Sequence, residues 1–310
     1  MKKKMLLTAR RLTELKQPGA QYVIRCPGRN RSVEGHRICD TGFFSHYLRA
    51  LFGIRLAVRY RVPYSVDYGH VPHVYSDTET FPQEPNFWNY YFQPSGVVSS
   101  SPVKEIISRA YETHPVRIWK HGFIMEMNQL AQQHLFFRPE VEKTVMYRQE
   151  EFTQEKVLGV HVRRTDHWEE VEPVSLDMFK QVIRKNLRDY NKVFVATDNQ
   201  STLDEIREEF GERVLFNGVK RSHDREAVHA FPSSEGFQLG LEALTDAYSL
   251  SFCSKLILVH SNLSYAARVL NPTAPYLLLE TRKHALSRWK TLGAYYLDLV
   301  TTRLPSNDSN

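Results

Sequence analysis

A chain of 310 residues with 42% hydrophobic and 25% charged residues has room for two ordinary domains, and that balance excludes disorder as its main state. No apolar run approaches the ~20 residues of a membrane span, and the start MKKKMLLTARRL lacks the apolar middle of a signal peptide. The expected setting is therefore cytoplasmic, with peripheral membrane contact left open. The 41 Lys and Arg against 35 Asp and Glu, net +6, call for an anionic partner without naming it.

Taken in order, the first half is the less regular. Tyr22–Arg25 predicts a strand, followed by a Gly- and Arg-rich loop. Residues 41–60 predict a helix with Phe44, Leu48, Leu51, Leu56 and Ala57 on its apolar side, and residues 62–67 a second strand. From His70 to Ser101 the chain is rich in Pro, Tyr and Phe and reads as long ordered loops. The aromatic run Phe87–Phe92 within them suits packing better than stacking on a sugar ring. Cys26, Cys39 and Cys253 are an odd number without metal-ligand spacing, which argues against a disulfide framework and fits a reducing compartment.

The second half alternates short apolar runs with amphipathic stretches. Strands are predicted at residues 156–162, 192–196, 213–216, 255–259 and 276–279. Helices are predicted at 176–187, 201–210, 237–252, 263–270 and 283–299. Nearly continuous apolar strands alternating with helices are the pattern of a parallel sheet covered on both faces. The expectation is α/β, with a boundary near residue 150 separating 1–150 from a Rossmann-like 151–310. The last helix is left free to lie back on the first half.

Polar groups gather where these strands end. The strand in GVHVRRTD (Gly159–Asp166) runs straight into Arg163, Arg164 and Asp166, at the sheet edge where open α/β sheets bind ligands. Adjacent arginines there need anions, and a diphosphate matches guanidinium forks; a structural salt bridge to an acid such as Asp166 is the plainer reading. Asp198 ends the next strand, either to bind a ligand or hold an arginine, or simply to cap the helix that follows. Ser261 or Asn262 opens a helix after the fourth strand, a ready anion site and also an ordinary cap. Asp246 lies mid-helix, with the solvent face as its simplest place. Gly42 begins a helix, where backbone can approach a phosphate or merely cap. No P-loop, HExxH, GxSxG elbow or DxD is present, and no RNA-binding or zinc-finger signature speaks for nucleic acid.

Gly159–Asp166, Val193–Asp198 and Asp246–Ala267 resemble, in that order, the three motifs of α1,6-fucosyltransferases and nodulation-factor fucosyltransferases. Gly42–Ser45 and the segments 62–67, 86–94 and 213–229 resemble the corresponding parts of bacterial relatives. The resemblance implies a GT-B enzyme, two Rossmann-like domains facing a cleft, with the acceptor on the N-terminal side. It implies inverting transfer of L-fucose from GDP-L-fucose to a glycan or glycoconjugate hydroxyl, with no metal or other cofactor. On that model His161 and Asp246 contact the guanine, Arg163 binds the β-phosphate with Arg164 in support, and Ser261 with Asn262 holds the diphosphate. Asp166 and Asp198 match family acids that organise the site. Phe44 stands where the animal enzymes have a second glycine, and His167 where they have a lysine. Spacing to the family's catalytic glutamate is altered, so Glu169, Glu170 and Glu172 all compete as base, with Glu170 the first choice. Trp168 is the acceptor-side candidate. Another GDP-sugar, a protein acceptor, or a non-catalytic nucleotide-sugar or nucleic-acid binder are the alternatives.

Overall fold

The computed structural model describes residues 9–27, 30–33, 36–94, 104–164, 174–223 and 235–303. After a short helix α1 (Ala9–Leu15), β1 (Ala20–Ile24) becomes the centre of a three-stranded parallel sheet between β4 (Tyr64–Val66) and β5 (Lys104–Ile107). The Gly- and Arg-rich segment expected as a loop instead holds an antiparallel hairpin, β2 (Asn30–Val33) with β3 (His36–Cys39). Its strands are mostly polar and lack the alternation that signals a half-buried strand.

Helix α2 (Phe43–Tyr60) begins two residues later than expected and buries Phe43, Phe44, Tyr47, Leu48, Leu51 and Ile54. Arg61 ends it in the left-handed region (φ 55°, ψ 47°), donating its N–H to the Ala57 and Val58 carbonyls. Gly53 sits mid-helix because α2 lies hard on β1: a Cβ there would come within 2.6 Å of Ile24. The expected loop region contains a single-turn helix α3 (Trp88–Tyr91). Phe87, Trp88, Tyr90, Tyr91 and Phe92 are at most 1% exposed, so this aromatic run is core. Helices α4 (His121–His134), α5 (Pro139–Val145) and α6 (Gln149–Gln154) complete the first half.

The second half follows the expected alternation closely: β6 (Val157–Val162), α7 (Leu176–Asn186), β7 (Lys192–Thr197), α8 (Gln200–Phe210), β8 (Val214–Leu215), α9 (Gly236–Ser251), β9 (Lys255–Val259), α10 (Asn262–Leu270), β10 (Tyr276–Leu279) and α11 (Arg282–Arg303). All five strands are parallel in the order β10-β9-β6-β7-β8. The chain starts at the centre, moves outward through β7 and β8, then crosses back to β9 and β10. The direction of winding therefore reverses between β6 and β9, and that switch point is where doubly wound sheets open a crevice. Every residue of β6 is buried, as a central strand covered on both faces requires. Gly159 allows the turn after α9 to approach, since a Cβ there would lie 2.9 Å from Cys253.

The two halves share one core. Leu244, Ala247 and Tyr248 of α9 and Tyr265, Ala266 and Val269 of α10 are buried in the same cluster as Tyr47, Leu51 and Tyr91. Hydrogen bonds across this joint include Tyr91 Oη to the Phe237 carbonyl (2.9 Å), Tyr265 Oη to the Ile118 carbonyl (3.0 Å) and Asn128 Nδ2 to the Val269 carbonyl (2.9 Å). The last helix reaches the first half where Lys120 Nζ stands 4.7 Å from the Tyr296 ring centroid. Among the described residues no helix is long and apolar enough to cross a membrane.

Candidate functional site

Strand register decides which polar groups meet at the switch point. β6 is paired with β7 on one side (His161 opposite Ala196, Val162 opposite Thr197) and with β9 on the other (Val160 opposite Ile257). The residues just beyond these strands, Arg163 and Arg164, Asp198, and His260 to Asn262, therefore emerge side by side.

Asp198 organises the arginines. Its Oδ1 accepts the Arg164 backbone N–H (2.9 Å), and its Oδ2 lies 3.2 Å from Arg163 Nε. Asp198, just past the next strand, is thus an acidic partner of Arg163; Asp166 lies outside the described residues. Asp198 does not cap α8 either. That cap is Asn199, whose extended backbone (φ −127°, ψ 127°) lets its side chain accept the Thr202 N–H. Freed from capping, the Asp198 carboxylate serves the edge of the sheet. Arg163 keeps 24% of its side chain exposed, so it is oriented without being sealed off.

On the other side of β6 the helix α10 begins. Ser261 is its cap, accepting the Ser264 N–H at 3.0 Å, which leaves the N–H groups of Asn262 and Leu263 heading the helix at its positive end. His161, buried, ties β6 to this cap: Nδ1 is 2.6 Å from Ser264 Oγ and 3.3 Å from Ser261 Oγ. Asn262 accepts a 2.8 Å bond from Arg117 Nη1. Arg117 belongs to the first half and brings a third arginine to the edge. Nothing in the irregular stretch around it announces that role; only the joint between the halves puts it there.

Asp246 is only 6% exposed, not on the solvent face as its sequence neighbours suggested. Asn217, just beyond β8, donates from Nδ2 to Asp246 Oδ1 (2.8 Å) and to Ser249 Oγ (3.1 Å), while Tyr147 Oη bonds Asn217 Oδ1. Burial raises the Asp246 carboxyl to about 7, against the opposing pull of Arg221 and the Asn217 bond. Gly42 lies in the first half as the cap of α2 with an ordinary φ of −61°, and the next N–H, of Phe43, is taken by Tyr75 Oη at 2.8 Å. At the far corner His260 Nε2 meets Glu280 Oε2 at 2.8 Å, and Arg288 clamps the same carboxylate at 3.0 and 2.8 Å. Arg288 holds that carboxyl below its usual range, and the pair fixes α11 to the ends of β9 and β10. Trp168 and Glu170, with Glu169 and Glu172, lie outside the described residues.

No protein-family model and no curated protein sequence matches the chain. Among solved structures, the fucosyltransferase NodZ from Bradyrhizobium is similar over 82% of this chain and 94% of its own, at 19% identity and a TM-score of 0.51. The chain has the GT-B fold. A NodZ α1,6-fucosyltransferase soaked with GDP-fucose is similar over 81% of this chain and 92% of its own (20% identity, TM-score 0.48), and POFUT1 in complex with GDP over 86% and 99% (10% identity, TM-score 0.47). Within the GT-B frame, β6 to β10 form the C-terminal sheet, and the Arg163–Asp198–Ser261 edge lies at its switch point. Gly42 opens the first helix after the N-terminal hairpin.

Proposed function

We propose that the chain is an inverting glycosyltransferase that moves L-fucose from GDP-L-fucose to a glycan hydroxyl. The observation that carries this reading is the convergence of Arg163, Asp198, His161 and Ser261 on one edge between β6 and β9. A guanidinium steered by a carboxylate, beside the head of a helix, suits a diphosphate. The motif resemblance and the NodZ-like fold favour guanosine and fucose among nucleotide sugars.

In this mechanism the acceptor hydroxyl attacks the sugar's anomeric carbon as the bond from that carbon to the β-phosphate oxygen breaks. The hydroxyl proton passes to a carboxylate, Glu170 in the first instance. The cation-like sugar inverts, and GDP leaves with its new charge on Arg163, supported by Arg164 and the α10 N–H groups. Asp198 acts through Arg163 and Arg164 as a positioning residue. By the motif resemblance Asp166 is an organising acid of the site, Trp168 the acceptor-side candidate, and Gly42 a donor-side contact from the first half. The motif resemblance implies no metal in this step. Three thiols without a disulfide among them suit a cytoplasmic setting.

Asp246 supplies a test through its proton. With the carboxyl at about 7 in the free chain, the folded state holds a proton that the unfolded state, near the ordinary ~3.9, has already lost. Stability therefore falls as pH rises between those values. Guanine presents N–H donors, which need the ionised carboxylate. GDP affinity, measured by titration calorimetry, is expected to rise about tenfold from pH 6 to pH 8. Asp246→Asn should bind GDP more weakly at pH 8 and lose that component of the pH dependence. Identical pH profiles for the two proteins would remove Asp246 from the base site, and no GDP binding at any pH would remove the reading itself.

A further inference from the structure

We infer that Cys26, Cys39, His46 and His73 form a buried structural metal site of the Cys2His2 type, in the first half of the chain and apart from the Arg163 edge. The sulfurs of Cys26 and Cys39 lie 3.2 Å apart, and Cys39 Sγ is 4.0 Å from His46 Nε2. These three donor atoms all fall within 4.8 Å of one another. The fourth donor, His73 Nε2, is 2.5 Å from His46 Nε2. A tetrahedral zinc ion, with Zn–S near 2.3 Å and Zn–N near 2.0 Å, spaces its ligand atoms by about 3.3 to 3.8 Å. The sulfur pair and the Cys39–His46 pair stand close to those values. The two imidazoles reach them by parting through about 0.8 Å, a small side-chain rotation. Two imidazole nitrogens this close share a proton, or a metal ion once they have parted.

The backbone fixes each ligand from a different element. Cys26 follows β1, Cys39 ends β3, His46 lies in the first turns of α2, and His73 is bridged to Cys39. Cys39 donates its N–H to the Pro72 carbonyl at 2.9 Å and accepts from the Val74 N–H at 3.3 Å. The donors are separated by 13 residues (Cys26 to Cys39), 7 (Cys39 to His46) and 27 (His46 to His73), which explains why no compact ligand motif shows in the sequence. All four side chains are buried, at 5%, 0%, 0% and 3% exposure in chain order. Aromatic rings close around them: Tyr68 and Phe87 against His46, Tyr75 and Phe87 against His73.

Such a shell is a poor place for two thiols and two imidazoles unless their polar atoms share a strong common partner. Thiolate and neutral imidazole are the ligand forms. Soft sulfur with imidazole in a four-donor set selects zinc(II). With four buried protein donors, the site is closed and structural. Its work is to staple the hairpin end and the exit of β1 to α2, which places the turn carrying Gly42.

Metal analysis of the full chain, purified without chelator, tests this directly. The expected result is about one zinc per chain, unchanged in Cys253→Ser and lost in Cys26→Ser. Because loss of a buried ligand also endangers folding, cobalt(II) exchanged into the unmodified chain provides a second readout. It should give thiolate-to-cobalt charge-transfer absorption and the visible bands of a tetrahedral ion. Substoichiometric zinc after reconstitution, together with no cobalt bands, would overturn the inference, and peptide mass analysis would then identify a Cys26–Cys39 disulfide or two free thiols.

Discussion

Replacing Arg163 with alanine is expected to lower fucosyl transfer by about 10²–10³-fold, by analogy with the loss of one donor from a preorganised anion site, while leaving the fold intact. The guanidinium is held at 3.2 Å by Asp198 and keeps 24% of its side chain exposed. A partly exposed ion pair contributes about 1 kcal/mol or less to stability, so the unfolding midpoint should barely move. On the proposed mechanism the effect belongs to the leaving group instead, because charge builds on the β-phosphate as the bond to the sugar breaks and Arg163 is assigned to meet it there. Arg163→Lys keeps the charge but not the planar fork, and should fall between the two. Asp198→Asn keeps an acceptor for the Arg164 N–H but loses the anchor for Arg163, and should lose rate more than affinity for GDP. Transfer by Arg163→Ala at the unmodified rate would sink the assignment.

The largest loss of stability is expected far from that edge. Glu112 carries a fully buried carboxylate that receives Arg11 Nε at 2.8 Å, Arg11 Nη2 at 3.1 Å, Tyr22 Oη at 3.0 Å and the Arg109 N–H at 2.9 Å. Arg11, 4% exposed, also donates to the Ile107 carbonyl at 2.6 Å. The network ties α1 to β1 and to the end of β5. Glu112→Ala strands the Tyr22 hydroxyl and the Arg109 N–H and leaves the Arg11 guanidinium with only the partly exposed Glu14 carboxylate (3.0 Å) and the Ile107 carbonyl. Breaking a buried pair in this way costs about 3–5 kcal/mol, measurable as a fall in the urea midpoint. Glu112→Gln keeps one acceptor oxygen and should cost less. A change below about 1 kcal/mol for the alanine variant would mean that the site admits water and that the pair is not truly buried.

These two arginines show what the sequence disclosed and what it hid. The second half was legible because its signals are local: unbroken apolar strands, Asn199 and Ser261 at helix starts, Pro272 after the end of α10. Arg163 could be placed because an apolar strand delivers it to a sheet edge. Arg11 gave no such sign. In the basic start it reads as solvated charge, and only the return of the chain at Glu112 makes it structural. The Cys26–Cys39–His46–His73 cluster was hidden for the same reason, since its members come together through tertiary contacts alone. Asp246 misled in the opposite direction. Its helix is flanked by alanine and threonine, which suggests a tolerant surface, yet Asn217 comes over from the end of β8 to cover it. The net charge of +6 therefore mixes cations of different kinds, one locked in the core of the first half and others set at the edge of the second.

The central claim is that this edge receives the diphosphate of GDP-L-fucose. Its most direct test is the thermal unfolding midpoint of the unmodified chain, read against a concentration series of GDP-L-fucose, GDP, GDP-mannose and UDP-sugars. A ligand that binds only the native state raises that midpoint with concentration, by about 2.7 kcal/mol of added stability at one hundred times its dissociation constant. The account predicts a saturable rise with GDP and a larger one with GDP-L-fucose, and none with UDP-sugars. A midpoint that no guanosine compound moves, or that UDP-sugars move further, would contradict it.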